Sequence, residues 1–146
     1  MEVLTTRFGP VRVGSYDRVD FPAGLIGLRE LKRFVTIRDP QVASLIWLQS
    51  MRDPAWALAL LPPRSLYPQY QVRATAEQLE PIQVADARDV DVYAILNRTF
   101  RSVTANLQAP LLINRRRGLG VQLVLSDSQY SVRHEARLEA ALRQSA

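Results

Sequence analysis

Very few residues of this chain have the chemistry needed for catalysis or metal binding. There is a single histidine, His134, and no cysteine, so a zinc site built from the usual nitrogen and sulfur ligands would have too few members. A serine nucleophile would need His134 beside it, and the Gly-x-Ser-x-Gly motif of the hydrolases is absent from the sequence. The sequence therefore predicts a protein that is not an enzyme and has no cofactor and no metal.

The densest group of acids is Asp86, Asp89 and Asp91. Their spacing does not reproduce a calcium-binding loop, so we interpret them as a solvated loop that leads into a strand. Residues 98–117 contain arginines and no acid. This asymmetry predicts either an acidic face and a basic face or ion pairs between the two neighbouring segments.

The chain is basic, with a formal net charge of +5, and its basic residues are all arginine except Lys32. One interpretation is a genome composition that favours arginine, and the other is a surface for bidentate contacts with carboxylates or phosphates. The run Arg115–Arg117 lies in a turn and supports an alternative function, that of a small basic β-domain that binds RNA directly.

The segment 102–114 alternates apolar residues at odd positions with polar residues at most even positions, which is typical of a strand with one buried face. Pro110 cannot donate to a ladder, so it predicts an edge, a bulge or a break. Turn residues at 115–120 and a second alternating run, Val121–Leu125, complete a predicted hairpin.

Short strand patterns fill most of the remaining chain and are separated by Gly and Pro turns. They lie at Glu2–Phe8, Val11–Val13, Val19–Phe21, Phe34–Arg38, Leu45–Gln49, Trp56–Leu61 and Val90–Asn97. At 146 residues the chain is expected to form one domain. The predicted fold is mainly β: a compact, single-domain, antiparallel β-barrel-like fold.

Two helices are predicted. Thr75 and Gln78 fit a capping box, and Pro81 limits this helix to the region near 75–80. A C-terminal helix is predicted over Arg133–Gln144, because Leu138, Ala141 and Leu142 share one face. The predicted organisation is a β domain over residues 1–134 and a C-terminal helical tail over 135–146.

Five ordered blocks resemble the FliW flagellar assembly factors. Thr104–Asn114 is similar to the TANLxAPxxIN block of that family, and Phe21–Leu28 is similar to FPxGLPGF. The others are Trp47–Pro54, similar to WLQSxxDP, Leu66–Tyr70, similar to FxPDY, and Gln122–His134, similar to GxQVVL followed by YxxRH. The chain departs from the pattern at Ile26, Leu28 and Gln69, and it is basic where many members are acidic.

The resemblance implies a compact β-barrel-like fold and no enzymatic activity. It implies a cytoplasmic protein, in agreement with the absence of an apolar run long enough to span a membrane. It also implies two protein partners: the RNA-binding translational regulator CsrA, whose repression of messages such as that of flagellin would be relieved, and flagellin itself. We expect the free protein to be monomeric and without membrane contact, and we do not expect this chain to bind nucleic acid directly.

Four polar residues within the family blocks are candidates for partner binding. Asn106 and Gln108 lie on the outward face of the alternating strand, and Gln49 and Asp53 flank a predicted turn. An alternative remains open for Asn106 and Gln49, whose side chains could instead satisfy buried backbone groups.

Overall fold

The computed structural model describes residues 1–126 and 129–136, and its strands alternate with short turns. The strands are β1 (Glu2–Thr5), β2 (Gly9–Arg12), β3 (Arg18–Asp20), β4 (Arg33–Arg38), β5 (Ile46–Ser50), β6 (Ala57–Leu61), β7 (Val90–Arg98), β8 (Val103–Asn114), β9 (Leu119–Gln122) and β10 (His134–Glu135). The helix α1 spans Ala76–Leu79, and 3-10 turns lie at Ser15–Asp17, Pro63–Ser65, Glu80–Ile82 and Ala87–Asp89.

The strands β3 to β9 close into a seven-stranded barrel. Consecutive strands from β3 to β9 pair antiparallel, and the barrel closes where β9 runs parallel to β3, with Leu119 opposite Asp20. Closure leaves the barrel without a free edge, which is how small all-β proteins avoid pairing with other chains. The predicted mainly β, barrel-like fold is confirmed.

The barrel interior is filled by side chains that point inward from successive strands. Phe21 and Phe34 are fully buried and meet edge to face with ring centroids 5.5 Å apart. Leu48, Leu60 and Ile113 pack into the same cluster. A Cβ at Gly120 would lie 2.4 Å from the Phe21 ring, so only glycine lets β9 come this close to the aromatic core.

A long segment, residues 62–89, covers the outer face of β7 to β9. Ile82 is fully buried and packs against Leu112 and Leu123 on that face. The buried amide of Asn114 donates to the Ile82 carbonyl at 2.8 Å and to the Gln83 carbonyl at 3.3 Å. One asparagine of β8 therefore anchors the covering segment to the barrel wall.

The β7–β8 pairing contains a wide bulge. Leu111 lies opposite Tyr93 and Asn106 opposite Ile95, so residues 107–110 face Ala94 alone. The segment after β9 pairs with backbone carbonyls of the bulge that β7 leaves unpaired. The Leu123 amide donates to the Pro110 carbonyl at 3.0 Å, and the Leu125 amide donates to the Gln108 carbonyl at 2.7 Å. The bulge is one of the three outcomes predicted for Pro110.

The N-terminal hairpin β1–β2 forms a separate two-stranded sheet. It is held to the barrel by the amide of Thr6, which donates to the Pro54 carbonyl at 2.8 Å. The Arg7 guanidinium carbon also lies 4.0 Å from the centre of the Trp47 ring, a cation–π contact.

The short helix near 75–80 is confirmed, with both hydrogen bonds of the capping box between Thr75 and Gln78 in place. The C-terminal helix does not begin at Arg133 as predicted. His134 and Glu135 form β10, which pairs with Ala105 and Thr104 of β8. Glu135 and Ala136 are the described residues of the predicted tail 135–146. The remainder of the tail, and with it the remainder of the predicted helix, lies outside the described residues.

Within the described part of the chain, the structure has no helix that is both long and apolar enough to cross a membrane.

Candidate functional site

The first pair of predicted binding residues forms one turn between β5 and β6. Gln49 is 1% exposed, and its amide nitrogen, with two N–H donors, lies within hydrogen-bonding distance of four carbonyls of the segment 50–56, at 3.0 to 3.3 Å. Asp53 is exposed and accepts the Ala55 amide at 3.0 Å. Gln49 therefore has the structural role that the sequence left open, while Asp53 remains accessible to a partner.

The second pair shapes the bulge of β8. The Asn106 side-chain oxygen accepts the amides of Gln108 and Ala109 at 3.0 and 3.1 Å, so this side chain holds the backbone of the bulge in place. Gln108 is half-buried. The structure does not bring the two pairs together, because β6 and β7 separate β5 from β8 in the sheet.

The single histidine of the chain, His134, lies among aromatic side chains. The His134 ring lies 6.0 Å from that of Tyr67, which contacts Tyr130 edge to face at 5.7 Å. Among the described residues, no group of three or more histidine or acidic side chains is placed to hold a metal ion.

An apolar cleft opens between the covering segment 62–89 and the outer face of β7 and β8. Its volume is about 580 Å³. The lining residues are Pro62, Pro63, Arg64, Tyr70, Val72, Ala74, Leu79, Val84, Ala87, Val90, Val92 and Leu112, and Arg64 is the only charged side chain among them. We call this concavity the apolar cleft. Its size and lining are those of a site that takes apolar side chains or a small apolar ligand.

The inner wall of the apolar cleft contains a buried, hydrogen-bonded tyrosine. Tyr70 is 2% exposed, and its hydroxyl donates to the Leu107 carbonyl at 2.7 Å. Its ring contacts that of Tyr130 with centroids 4.5 Å apart. Burial, and after it the neighbouring Tyr130, raises the pKa of Tyr70, so its hydroxyl stays a donor to the bulge throughout the neutral range.

A second concavity lies at one mouth of the barrel. Its floor contains the inward side chains Ile46, Tyr93 and Ile113, and its volume is about 530 Å³. A neighbouring hollow of about 350 Å³ shares Tyr16, Arg18, Arg115 and Gly118 with it. We call the two together the basic mouth. Its arginines are Arg12, Arg18, Arg38, Arg115, Arg116 and Arg117, and its acids are Asp17, Asp20 and Asp91.

Ion pairs join the acidic and basic segments at this mouth. Arg115 pairs with Asp91 and donates to the Arg88 carbonyl at 2.9 Å. Arg116 lies 3.7 Å from Asp89. Asp89 and Asp91 therefore pair with the arginine segment, which is one of the two alternatives predicted, whereas Asp86 pairs with Arg88 of its own segment. The contacts of Arg115 and Arg116 fasten the β8–β9 turn to the start of β7.

Tyr93 forms part of the floor of the basic mouth. Its hydroxyl lies 3.5 Å from an Asp91 carboxylate oxygen. Burial first, and the negative charge of Asp91 second, raise the pKa of Tyr93 to about 12 against the opposing charges of Arg115 and Arg38. The floor of the mouth is therefore neutral and half-buried, and its charge lies on the rim.

The sequence alone did not reveal either concavity. The signal for the cleft is the alternation of Val72 and Ala74 with polar residues just before α1. The signal for the mouth is Tyr16, an aromatic residue among turn residues, which the structure leaves 85% exposed. Neither signal identifies a concavity from the sequence alone, because each concavity is formed by residues that are far apart in sequence.

The closed barrel and its two concavities define a small β-barrel protein whose distinctive features are surfaces for binding. The family model described as FliW protein matches residues 2–136. The flagellar assembly factor FliW of Moorella thermoacetica is 35% identical over 138 residues, covering 92% of this chain and 87% of that protein. That of Geobacillus kaustophilus is 35% identical over 136 residues, covering 92% and 94%.

The same likeness extends to three dimensions. A crystal structure of the flagellar assembly factor FliW superposes with a TM-score of 0.84 at 34% sequence identity, over 92% of this chain and 96% of that one. The chain belongs to the FliW family of flagellar assembly factors. The resemblance inferred from the five sequence blocks is confirmed.

Proposed function

We propose that this chain is a cytoplasmic partner-switching regulator that binds CsrA and flagellin in mutually exclusive complexes. Membership of the FliW family supports this proposal. In the proposed cycle, the chain sequesters CsrA and relieves its repression of target messages until flagellin accumulates. Flagellin then occupies the chain, CsrA is released, and flagellin translation falls. The switch point follows from the concentrations and affinities of the two partners, because each binds the same folded protein.

We assign the proposed partner binding to the apolar cleft. Exclusive binding requires that the two partners overlap, and the cleft is a concave apolar surface large enough for several side chains. Glu77 and Glu80, in and beside α1, are exposed acids of the covering segment that forms one side of the cleft. Their charge is of the sign that attracts an RNA-binding protein, whose own charge is positive.

Asp53 and Gln108 remain proposed contacts at the periphery of the partner surface. Asp53 is exposed at the β5–β6 turn, and Gln108 is half-buried in the bulge whose backbone touches Tyr70 through Leu107. Gln49 and Asn106 are proposed to act on binding only through the backbone that they hold.

Titration calorimetry with the CsrA and the flagellin of the same organism tests this function. We expect binding to each partner alone and loss of the CsrA signal when the chain is first saturated with flagellin. Binding to flagellin without binding to CsrA would reduce the proposal to a flagellin chaperone. Absence of binding to both partners at micromolar concentration would overturn it.

A further inference from the structure

The basic mouth has more positive charge than its own acids neutralise. Arg115 and Arg116 have carboxylate partners, and Arg18 lies 3.5 Å from Asp20. Arg12, Arg38 and Arg117 are exposed and form no ion pair with any described acid. These three guanidinium groups therefore place N–H donors without a carboxylate partner around the concavity. The planar guanidinium group has the geometry that pairs with phosphate oxygens.

An open aromatic ring lies among these arginines. Tyr16 is 85% exposed although it lines both hollows of the basic mouth. A Cβ at Gly14 would lie only 2.7 Å from the Tyr16 ring, so the ring rests against bare backbone on one side. Its remaining surface is available to solvent, which is the arrangement of a platform on which a flat ring stacks.

We propose that the basic mouth binds single-stranded RNA, with phosphates on Arg12, Arg38 and Arg117 and a base stacked on Tyr16. Arginines that follow a backbone and an aromatic ring that accepts any base are the two components of sequence-tolerant single-strand binding. An acidic peptide would use the arginines but would leave the Tyr16 ring without a partner. The two hollows have Tyr16, Arg18, Arg115 and Gly118 as common lining residues, so a strand that contacts Tyr16 is within reach of arginines in both.

This inference goes beyond the proposed partner switch and does not depend on it. It rests on the charges and exposure of the mouth, whereas the protein partners are assigned to the apolar cleft. A chain that binds neither CsrA nor flagellin could still bind RNA here, and the reverse also holds.

The test is fluorescence anisotropy with a short labelled single-stranded RNA of mixed sequence, titrated with the whole chain at several salt concentrations. The first variant carries Arg12→Ala, Arg38→Ala and Arg117→Ala together. Its matched control carries Arg52→Ala, Arg101→Ala and Arg133→Ala, which remove the same charge from exposed positions outside the mouth.

We expect the mouth variant to bind about ten-fold or more weakly, with the slope of log affinity against log salt reduced by about 2, because each lost phosphate contact contributes about 0.7 on a single strand. The control variant should keep most of the affinity. Equal losses in the two variants, or no RNA binding by the wild type at low salt, would overturn the proposal.

Tyr16→Ala tests the stacking contact separately from charge. We expect about ten-fold weaker binding, the size of the loss of one base stack, while Tyr16→Phe keeps the ring and should bind like the wild type. An unchanged affinity in Tyr16→Ala would overturn the assignment of the base to this ring. A free nucleoside monophosphate that binds as tightly as the RNA would overturn an extended strand as the ligand.

Discussion

The two faces of the β7–β8 pair carry surfaces of opposite chemistry. Val92 and Leu112 lie opposite each other and form the floor of the apolar cleft on the outer face. Their chain neighbours Tyr93 and Ile113 point to the other face and form the floor of the basic mouth. Because side chains alternate along a strand, a single step in sequence separates an apolar surface from an arginine-rimmed one.

The difference between the faces lies in what covers them. On the outer face the covering segment 62–89 contributes apolar side chains and seals most of the strand pair, leaving the cleft as an unfilled gap. At the mouth, β2 and the 3-10 turn at Ser15–Asp17 contribute lining residues, and the rim is formed by arginines of separate turns and strands. Two adjacent positions of β8 can therefore have comparable burial and yet support different surfaces.

The largest expected effects come from truncating those two neighbours. Ile113 and Leu112 are each 3% exposed, so Ile113→Ala and Leu112→Ala should each lower the free energy of unfolding by about 2–5 kcal/mol. The pattern of amide hydrogen exchange should differ. Leu112→Ala should speed exchange in the covering segment, including α1, while Ile113→Ala should speed exchange in the barrel strands. Identical exchange patterns would contradict the separation of the two faces.

A smaller effect is expected at the anchor of the covering segment. Asn114→Ala removes the buried donors to the carbonyls of Ile82 and Gln83, and leaving such acceptors unpaired costs about 1–3 kcal/mol. Chemical denaturation measures the loss, with the exposed Asn97→Ala as the control. If Asn114→Ala were as stable as that control, the covering segment would be held by apolar contacts alone.

The ion pair at the mouth should contribute less. The side chains of Arg115 and Asp91 are 52% and 32% exposed, and exposed pairs contribute about 0.2–1 kcal/mol. A double-mutant cycle of Arg115→Ala and Asp91→Ala measures the coupling, which should shrink as salt rises. A coupling that salt does not change would mean that the pair is far better shielded than its exposure indicates.

The effect of Tyr93 on stability changes only at alkaline pH. The pKa of Tyr93 rises from 10.0 to about 12 on folding, so the unfolded chain loses its proton first. The stabilisation is complete below pH 10 and is lost as the pH rises towards 12. Tyr93→Phe should make the fall in melting temperature between these pH values shallower than in the wild type. Parallel curves for Tyr93→Phe and the wild type would contradict burial of this hydroxyl.

The sequence predicted the barrel well because its signals are local. The strand at 102–114, the capping box at Thr75 and the turn after Asn114 each depend on neighbouring residues, and the structure has all three. The alternation of burial holds from Val103 to Ala109, whereas Pro110–Asn114 are all buried. The predicted turn at 115–120 is shorter than expected, because β9 begins at Leu119. The helix start at Arg133 was wrong because pairing with Ala105, a contact remote in sequence, overrides the local helical pattern. For Gln49 the sequence left both partner binding and a buried backbone role open, because nothing in it shows that four carbonyls converge on the side chain.

The candidate surfaces were less predictable than the fold. The apolar cleft needs the covering segment and β8, and the basic mouth needs Tyr16 and Arg117, which lie about a hundred positions apart. Such surfaces depend on how the barrel closes, and the closing contact between β3 and β9 is parallel and remote in sequence. The arginine run 115–117 was visible in the sequence, but its neighbours were not.

One calorimetric comparison of four proteins tests the central claim that the two faces have separate binding roles. Flagellin is titrated by calorimetry into the wild type, into Ala87→Asp, which places a charge on an exposed residue of the apolar cleft, and into Ala76→Asp, a matched control on α1 outside it. The mouth variant lacking Arg12, Arg38 and Arg117 is titrated in parallel. We expect Ala87→Asp alone to lose flagellin binding. Full binding by Ala87→Asp, or its loss in the mouth variant, would contradict the account.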